Sequence, residues 1–385
     1  MCIFESWIVP CFFLPEIAGS TGSIVIVISP LTSIMMDQTA KFSPWGLVTD
    51  FVGEAQVDSE ATKRVLNGLA QLVFISPENI INNPRFRNML LSAHYKEKLV
   101  ALVIDEAHCV KYWGDKFRAA FAMIGDLRSL VPTHVNVLAL TATATQETLQ
   151  VVTERLSMKD IALVALPPSR VNIMFKIQPL QNLDEFSTTL STGLRRLSID
   201  YPKTIVFCRR YEDCSDLYLT IRRKLGGAIT HPQNYPDLLQ FRLVTMYTRV
   251  STVPMREKIL TSFTVPGSTL RLIIATTAFG MGVDCRDIRD IVHWGAPCSI
   301  EEYVQETGRA GRDGLPAVAT LHKGKIGKHV NEAMKNYIQN SSSCRRKLLL
   351  QDFLLYTDES VTKCKCCDIC AVSCTCIACS SIQKV

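Results

Sequence analysis

Two adjacent carboxylates, Asp105 and Glu106, end an apolar run in the segment LVIDEAHCVKYWG, residues 102–114. The run predicts a buried β-strand whose last residues emerge at the edge of a sheet. Ligands of α/β proteins bind at the carboxyl ends of strands, and carboxylates there can hold Mg²⁺ against a nucleotide. The sequence therefore predicts half of a nucleotide site here and requires a phosphate-cradling half elsewhere.

A second candidate is a pair of arginines, Arg309 and Arg312, within YVQETGRAGRDG at residues 303–314. The small residues around them allow a ligand to approach the backbone, and guanidinium groups bind phosphate in a bidentate manner. The competing interpretation places the arginines on a solvated helix face. Ser299 and Glu302 form a predicted capping box that starts this helix.

Cysteines are concentrated at the end of the chain, where seven of the fifteen fall within the last 22 residues. These seven are Cys364, Cys366, Cys367, Cys370, Cys374, Cys376 and Cys379. Cys364, Cys367 and Cys370 follow a C-x₂-C-x₂-C pattern, with Cys344 upstream, and four thiolates suit tetrahedral Zn²⁺. A disulfide cluster is the alternative. The extra thiols, Cys366 among them, leave the ligand set open.

Two series of β-rich segments alternate with helical spacing, which predicts parallel strands joined by helical crossovers. The first series covers residues 23–29, 71–76, 99–105 and 135–143, and the second covers 204–208, 242–247, 271–277, 288–294 and 317–322. The segment LPPSR at 166–170 marks the boundary between them. The fold class is therefore α/β, with a first domain at 1–168, a second at 169–335 and a cysteine-rich module at 336–385.

Two helices are predicted in some detail. Thr143 and Gln146 make a capping pair before a helix whose apolar face holds Leu149, Val152 and Leu156. After the segment TIVFC, one apolar stripe predicts a second helix. Its members are Tyr211, Cys214, Leu217, Ile221 and Leu225. Residues 226–241 are predicted to be a loop insertion.

The composition is that of a protein with a packed core, since 47% of the 385 residues are hydrophobic and 20% are charged. The net charge of +6 permits a nucleic-acid partner but is too small to argue for one. No apolar run approaches the roughly 18 residues that a membrane helix needs, and we expect no membrane association. WIVPCFFLP at residues 7–15 is predicted to be a core helix.

Taken together, these segments resemble the superfamily 2 helicases, and more narrowly the RecQ family of DNA helicases. The resemblance is carried by DEAH (105–108), TATAT (141–145), ATTAFGMGVD (275–284) and QETGRAGRDG (305–314). SPLTSIMMDQ (29–38) is similar to the family's motif Ia, and IVFCRR (205–210) to its motif IV. The resemblance implies two tandem RecA-like domains followed by a helical zinc module, with zinc ligands at Cys344, Cys364, Cys367 and Cys370.

Roles for the site residues follow from the same resemblance. Asp105 would hold Mg²⁺ through water, Glu106 would orient and polarise the attacking water, and His108 would couple the site to the second domain. Arg312, with Arg309 beside it, would be the arginine finger. The expected nucleotide contacts are Gln305, Gly280, Gly282 and Asp284. The expected nucleic-acid contacts are Ser29, Pro30, Thr141, Thr143 and the aromatic-rich loop after DEAH, namely Trp113, Phe117 and Arg118.

The aromatic-rich loop, HCVKYWGDKFRAAF at 108–121, suits single-stranded nucleic acid because aromatic faces stack on bases. A core role for these aromatic residues is the alternative. Trp113→Ala and Arg118→Ala should weaken single-strand binding without unfolding the chain.

The phosphate-cradling half is missing from the sequence, because no G-x-x-x-x-G-K-[ST] occurs in it. AGSTGS (18–23) lacks a lysine, and GKIGKH (324–329) lies in the second domain. WIVPCFFLPEIAG resembles the helix that follows the loop in RecQ proteins, so the chain is expected to begin just after its P-loop. The 385-residue chain is therefore expected to hydrolyse ATP slowly or not at all.

The function that this resemblance implies is that of an ATP-dependent DNA helicase of 3′→5′ polarity, with ATP, Mg²⁺ and Zn²⁺ as cofactors and single-stranded and duplex DNA as partners. One alternative is a non-hydrolysing DNA-binding protein or a truncated fragment. Another is an RNA helicase of the DEAD/DEAH type. The expected location is the nucleus in a eukaryote and the cytoplasm otherwise.

Overall fold

The structure is a computed structural model that describes residues 22–30, 32–53, 56, 58–111, 120, 123–165, 168–276, 279, 285–354 and 361–376. The predicted core helix at 7–15, the aromatic-rich loop with Trp113, Phe117 and Arg118, and the glycine-rich segment with Gly280, Gly282 and Asp284 lie outside these residues. Contacts divide the chain into two units, which comprise the described parts of Met1–Pro168 with Asp352–Leu355, and of Ser169–Gln351 with Tyr356–Val385.

The first unit is built on a five-stranded parallel sheet with the order β2-β3-β1-β4-β5. Its strands are β1 (Ile24–Ile28), β2 (Thr49–Val52), β3 (Leu72–Ile75), β4 (Leu99–Ile104) and β5 (Asn136–Ala139). Its helices are α1 (Thr32–Phe42), α2 (Ser59–Leu66), α3 (Pro77–Asn82), α4 (Pro84–Leu91), α5 (Ala93–Lys98) and α6 (Gln146–Arg155). Both faces of β1 are buried, because the crossover helices cover the sheet on either side.

The second unit is built on a six-stranded parallel sheet with the order β6-β11-β10-β7-β9-β8. Its strands are β6 (Ile173–Pro179), β7 (Thr204–Cys208), β8 (Val244–Tyr247), β9 (Leu272–Ala275), β10 (Asp290–Trp294) and β11 (Ala317–Lys323). Its helices are α7 (Leu183–Leu197), α8 (Tyr211–Leu225), α9 (Val253–Thr264), α10 (Ile300–Thr307), α11 (Glu332–Gln339), α12 (Arg345–Leu350), α13 (Lys363–Cys366) and α14 (Asp368–Val372).

The predicted fold class, two α/β domains with parallel sheets, is confirmed. Two strands were missed, β2 and β6. β2 has only four residues, two of them polar, and β6 alternates buried and half-buried positions at the edge of its sheet. Neither has the continuous apolar run that identifies a central parallel strand.

Of the two helices predicted in detail, α8 has most of its predicted apolar face buried, whereas α6 begins later than predicted. In α8 the predicted apolar stripe is buried from Cys214 to Leu225, whereas Tyr211 at its start is exposed. The predicted cap of α6 is wrong by two residues, because the hydroxyl of Thr145, not Thr143, accepts a hydrogen bond from the backbone N–H of Thr148. Within the described residues, no helix has the length and apolarity that crossing a bilayer requires.

Candidate functional site

The carboxylate pair lies at the carboxyl end of β4, and its backbone continues the sheet. The N–H of Asp105 donates to the carbonyl of Ile28 at 2.9 Å, and the N–H of Ala107 donates to that of Leu140 at 2.8 Å. Between them Glu106 adopts φ 50°, a left-handed conformation that a residue with a side chain takes up at a cost of about 1–2 kcal/mol. Strained residues of this kind cluster at functional sites, and here the strain turns the backbone sharply at the strand end.

Both oxygens of the Asp105 carboxylate are held in place. The Ser29 hydroxyl donates to Oδ2 at 3.0 Å, and the backbone N–H of Glu106 donates to Oδ1 at 2.9 Å. Ser29, which directly follows β1, is fully buried and supports the Asp105 carboxylate, while its role as a nucleic-acid contact stays a prediction. Pro30 is half-buried beside it.

His108 links the carboxylates to the TATAT segment. Its Nδ1 lies 3.3 Å from Glu106 Oε2 and 3.1 Å from Thr141 Oγ1. All three residues belong to the first unit, and both His108 and Glu106 are buried.

Thr141 is half-buried, whereas the Thr143 side chain is only 2% exposed and its hydroxyl has no hydrogen-bond partner among the described residues. Thr143 therefore does not present its side chain to solvent, as a direct nucleic-acid contact would need.

Burial, followed by the negative charge of Glu106, raises the pKa of the Asp105 carboxyl to about 7. The Ser29 hydroxyl and the Glu106 N–H act in the opposite direction by stabilising the ionised form. Two adjacent carboxylates, of which Asp105 is half-buried and Glu106 buried, repel each other unless a cation or a proton neutralises one of them. The site therefore fits a bound divalent cation.

This arrangement predicts an unusual pH dependence of stability. Since the folded-state pKa of Asp105 lies above the unfolded value of 3.8, the folded chain binds the proton more tightly. The free energy of unfolding should therefore fall as the pH rises from about 4 to about 7. Asp105→Asn should remove that fall and stabilise the first unit at pH 8 by about 1–3 kcal/mol without divalent cations.

Chemical denaturation across this pH range tests the prediction, with the exposed Asp126→Asn as the matched control. If the free energy of unfolding of Asp105→Asn changed with pH just as that of the parent does, the pKa of Asp105 would not be raised in the folded chain and the prediction would be wrong.

In the second unit, the predicted cap of α10 is present: the Ser299 hydroxyl accepts a hydrogen bond from the Glu302 N–H. The Glu302 carboxylate accepts one from the Cys298 N–H at 2.6 Å, one residue earlier than in a capping box. The helix ends at Thr307, so Arg309 and Arg312 lie in the turn that follows it and not on a helix face. Gln305 is half-buried within the helix.

The two arginines differ in exposure. Arg309 is buried, at 4% exposure, whereas Arg312 is half-buried. Between them Gly311 has φ 57°, and a Cβ there would lie 2.4 Å from Asn172 Nδ2 and 2.7 Å from the Leu315 carbonyl. Only glycine fits this turn, which fixes the backbone next to Arg312.

Arg170 supports this arginine turn, although the sequence marked it only as part of a boundary. Its guanidinium donates to the carbonyl of Gly311 at 2.7 Å and to that of Gly308 at 3.5 Å. Burial, followed by the positive charge of Arg312, lowers the pKa of Arg170. The turn is thus a concentration of positive charge that suits an anionic ligand such as phosphate.

Arg346, which follows two residues after Cys344, anchors the chain that carries Arg170. Its guanidinium donates to the carbonyl of Arg170 at 3.0 Å and to that of Ile173, and it lies 5.1 Å from the centre of the Phe175 ring. The side chain is buried. The sequence offered no signal for this role beyond two adjacent arginines at the start of a helix.

Arg346→Met should therefore lower the free energy of unfolding of the second unit by about 3 kcal/mol or more. Methionine keeps much of the apolar contact but leaves two carbonyls without their charged donor, and each such hydrogen bond contributes about 1.5–3 kcal/mol. Urea denaturation measures the effect. Arg223→Met on the exposed face of α8 is the control, expected within about 0.5 kcal/mol of the parent. Equal stability of the two variants would contradict the anchoring role.

Tail thiols form two groups. Cys344, Cys366, Cys367 and Cys370 have sulfur atoms that all lie within 4.8 Å of one another, and so do Cys364, Cys374 and Cys376. The first group thus contains Cys366 where the sequence predicted Cys364. Cys364 and Cys366 both lie in the single turn of α13, and residues two apart in a helix face different sides. Only one of the two thiols can therefore face the first group.

The first group fits the requirements of Zn²⁺. Its Cys344 and Cys366 sulfurs are 3.6 Å apart, close to the edge of about 3.8 Å in a tetrahedron with Zn–S bonds of about 2.3 Å. Hydrogen bonds from the thiols of Cys344 and Cys366 lower the pKa of Cys367. The disulfide alternative is not supported, because Cys344, Cys366, Cys367 and Cys370 are free thiols.

Asp368, directly after Cys367, joins this group to the sheet of the second unit. Its carboxylate accepts a hydrogen bond from the Ile177 N–H on β6 at 3.0 Å and one from the Arg345 guanidinium at 2.5 Å. The contacts group the tail cysteines with the second unit.

Comparison with known families matches three successive regions of the chain. A DEAD/DEAH box helicase model matches residues 9–152, a helicase conserved C-terminal domain model matches 189–314, and a RecQ zinc-binding model matches 319–371. Their order is that of the two units followed by the tail.

Two curated relatives extend over nearly the whole chain. The ATP-dependent DNA helicase RecQ of Haemophilus influenzae is 28% identical over 94% of this chain and 56% of its own length. The protein of the same name from Pasteurella multocida is 30% identical over 94% of this chain and 55% of its own length. The chain therefore spans about half the length of these relatives.

Among solved structures, the chain resembles Saccharomyces cerevisiae Dbp5 bound to RNA and ADP BeF₃, with a TM-score of 0.62 at 14% identity over 86% of this chain and 80% of that one. At this identity the likeness concerns the fold, and it agrees with the two RecA-like domains predicted from the motifs. The matched regions, their order and the similarity to both relatives lead to one conclusion: the chain belongs to the RecQ family of superfamily 2 helicases.

Proposed function

We propose that this chain is the core of an ATP-dependent DNA helicase that moves 3′→5′ along one strand and separates duplex DNA. The observation that carries the proposal is the cluster of close polar contacts at the end of β4, in which Ser29, Asp105, Glu106, His108 and Thr141 are joined. A cluster with two carboxylates, one partly exposed and one buried against a histidine, suits phosphoryl transfer.

Each residue of this cluster has a separate task in the proposal. Bound Mg²⁺ supplies charge neutralisation on the β- and γ-phosphates of ATP, and Asp105 is the group that would hold it through water. Ser29 and the Glu106 N–H keep the Asp105 carboxylate oriented. Glu106 positions the attacking water and accepts its proton. His108, in contact with both Glu106 and Thr141, keeps the Glu106 carboxylate in place.

The arginine turn contributes the positive charge that phosphoryl transfer requires. Arg312, half-buried beside a backbone fixed by Gly311, is the proposed arginine finger, and Arg309 is its buried neighbour. Gln305, Gly280, Gly282 and Asp284 are the proposed nucleotide contacts. The first thiol group holds one Zn²⁺, which stabilises the tail on β6.

Single-stranded and duplex DNA are the proposed partners. Stacking on Trp113 and Phe117, with Arg118 as the cation, is the proposed mode of holding a single strand. Both relatives are named as DNA helicases, which favours DNA over RNA. The proposed location is the nucleus for a eukaryotic source and the cytoplasm for a bacterial one.

Strand separation with labelled duplexes tests the function. The 385-residue chain contains no G-x-x-x-x-G-K-[ST], so it is assayed both as it is and preceded by the phosphate loop of a RecQ relative. The extended form should separate DNA carrying a 3′ single-stranded tail, only with ATP, and should leave DNA with a 5′ tail paired. Separation of an RNA duplex instead would favour an RNA helicase. DNA binding without ATP turnover in either form would favour a non-hydrolysing binding protein.

A further inference from the structure

The second thiol group of the tail has no part in the proposed helicase. It consists of Cys364, Cys374 and Cys376, whose sulfur atoms all lie within 4.8 Å of one another. Cys374 is buried and the other two are half-buried. Three thiols that converge in this way either form disulfides, remain as reduced thiols or bind a metal ion.

The spacing of the sulfur atoms favours a metal ion. Cys364 and Cys376 have sulfurs 3.7 Å apart, far beyond a disulfide bond of about 2.05 Å. The separation matches the edge of about 3.8 Å expected between two thiolates on one tetrahedral Zn²⁺. It also matches the 3.6 Å between Cys344 and Cys366 in the first group. Each group thus contains one pair of sulfurs at the separation that a shared Zn²⁺ requires.

The short helix α13 explains why there are two groups. Cys364 and Cys366 both lie within Lys363–Cys366, and residues two apart in a helix cannot face the same ion. Once Cys366 joins Cys344, Cys367 and Cys370, Cys364 is turned toward Cys374 and Cys376. The C-x₂-C-x₂-C spacing alone would assign Cys364 to the first group, so the two assignments can be separated by experiment.

The charge around α13 is compatible with two thiolate-bound ions. Four thiolates around one Zn²⁺ carry a net charge of −2, and three carry −1. Lys363 and Lys365 flank Cys364 and are exposed, so their ammonium groups can offset part of this charge without steric restriction. Binding releases the thiol protons to solvent, and affinity should accordingly increase with pH.

We propose that Cys364, Cys374 and Cys376 bind a second Zn²⁺, distinct from the ion of the first thiol group. Three thiolates hold the ion, and the fourth tetrahedral position takes a water molecule or another donor, as in zinc sites with three protein ligands. The inference goes beyond the helicase function and does not depend on ATP turnover.

Metal analysis of the purified 385-residue chain under reducing conditions, after removal of loosely bound ions, tests the proposal. The chain should contain two zinc ions. Cys374→Ser combined with Cys376→Ser should contain one, as should Cys364→Ser. Cys298→Ser, at an exposed cysteine outside the tail, is the control and should keep two.

Cobalt substitution adds a readout that does not depend on counting zinc. The thiolate-to-cobalt charge-transfer absorption of the Cys374/Cys376 double variant should fall to about four sevenths of the parent value, because four of seven thiolates remain. Far-UV circular dichroism of the variant verifies that the fold is kept.

The results that overturn the proposal are specific. The proposal is overturned if the parent contains one zinc ion that the Cys374/Cys376 double variant keeps and Cys367→Ser loses. The first thiol group would then bind zinc and the second would not. If that single ion is lost in Cys364→Ser but kept in Cys366→Ser, the zinc ligand is Cys364, as the C-x₂-C-x₂-C spacing predicts, and not Cys366. Neither result bears on the DNA helicase assay, so the two proposals fail independently.

Discussion

Glu106→Gln is expected to slow DNA-stimulated ATP hydrolysis by about 10²–10⁴-fold, the contribution of a positioned general base. Glutamine has nearly the same shape and can still bond to His108, 3.3 Å from the Glu106 carboxylate in the parent. It cannot accept a proton from water. Nucleotide affinity and DNA affinity should therefore change little while turnover is lost.

Phosphate release in the presence of single-stranded DNA measures this effect in the form that carries a phosphate loop. Glu154→Gln, on the exposed face of α6, is the matched control and should behave as the parent. Turnover of Glu106→Gln within about tenfold of the control would rule out Glu106 as the base. Reduced DNA binding in the variant would point instead to a structural role for the buried carboxylate.

Much of the fold could be predicted from hydrophobic patterning. The central strands β1, β4, β7 and β9 are continuous apolar runs, because a parallel sheet buries both faces. β2 and β6 were missed because polar residues interrupt both strands, so neither forms a continuous apolar run. The other two edge strands, β5 and β8, were predicted, so composition and not position in the sheet decided which strands could be found.

The chemical residues of the site could be found from type and spacing, but their supports could not. Asp105 and Glu106 stood out as carboxylates at a strand end. Ser29 is distant in sequence by 76 residues, and nothing in its surroundings indicated that its hydroxyl would bond Asp105. Arg346 reaches back 176 residues to the carbonyl of Arg170. Such contacts join segments that are far apart in the chain and cannot be read from local patterns.

The cysteine tail shows the same limit on a smaller scale. C-x₂-C-x₂-C is a spacing rule for ligands, and it assigned Cys364 to the zinc site of Cys367 and Cys370. The structure places Cys366 there, because the turn of α13 decides which thiol faces which group. When cysteines outnumber the ligands of one ion, spacing identifies the region while the local backbone selects the residue.

Arg312→Ala is expected to reduce ATP turnover by about 10³–10⁵-fold, the range for an arginine finger. The physical reason is loss of a fixed positive charge at the phosphate in the transition state. Gly311, at φ 57°, and the hydrogen bond from Arg170 to its carbonyl hold the backbone next to Arg312. The backbone that carries Arg312 is therefore fixed before any ligand binds. Its removal should lower kcat with little effect on KM or on stability.

The neighbouring Arg309 is more deeply buried than Arg312, so the two arginines should respond differently to substitution. Arg309 is only 4% exposed, so Arg309→Ala should lower the free energy of unfolding as well as turnover. Arg312→Lys should recover part of the lost rate, because lysine restores the charge but not the planar fork. Arg223→Ala is the control for surface charge. If Arg312→Ala retained turnover and Arg309→Ala lost it without losing stability, Arg309 would be the residue that contacts the phosphate.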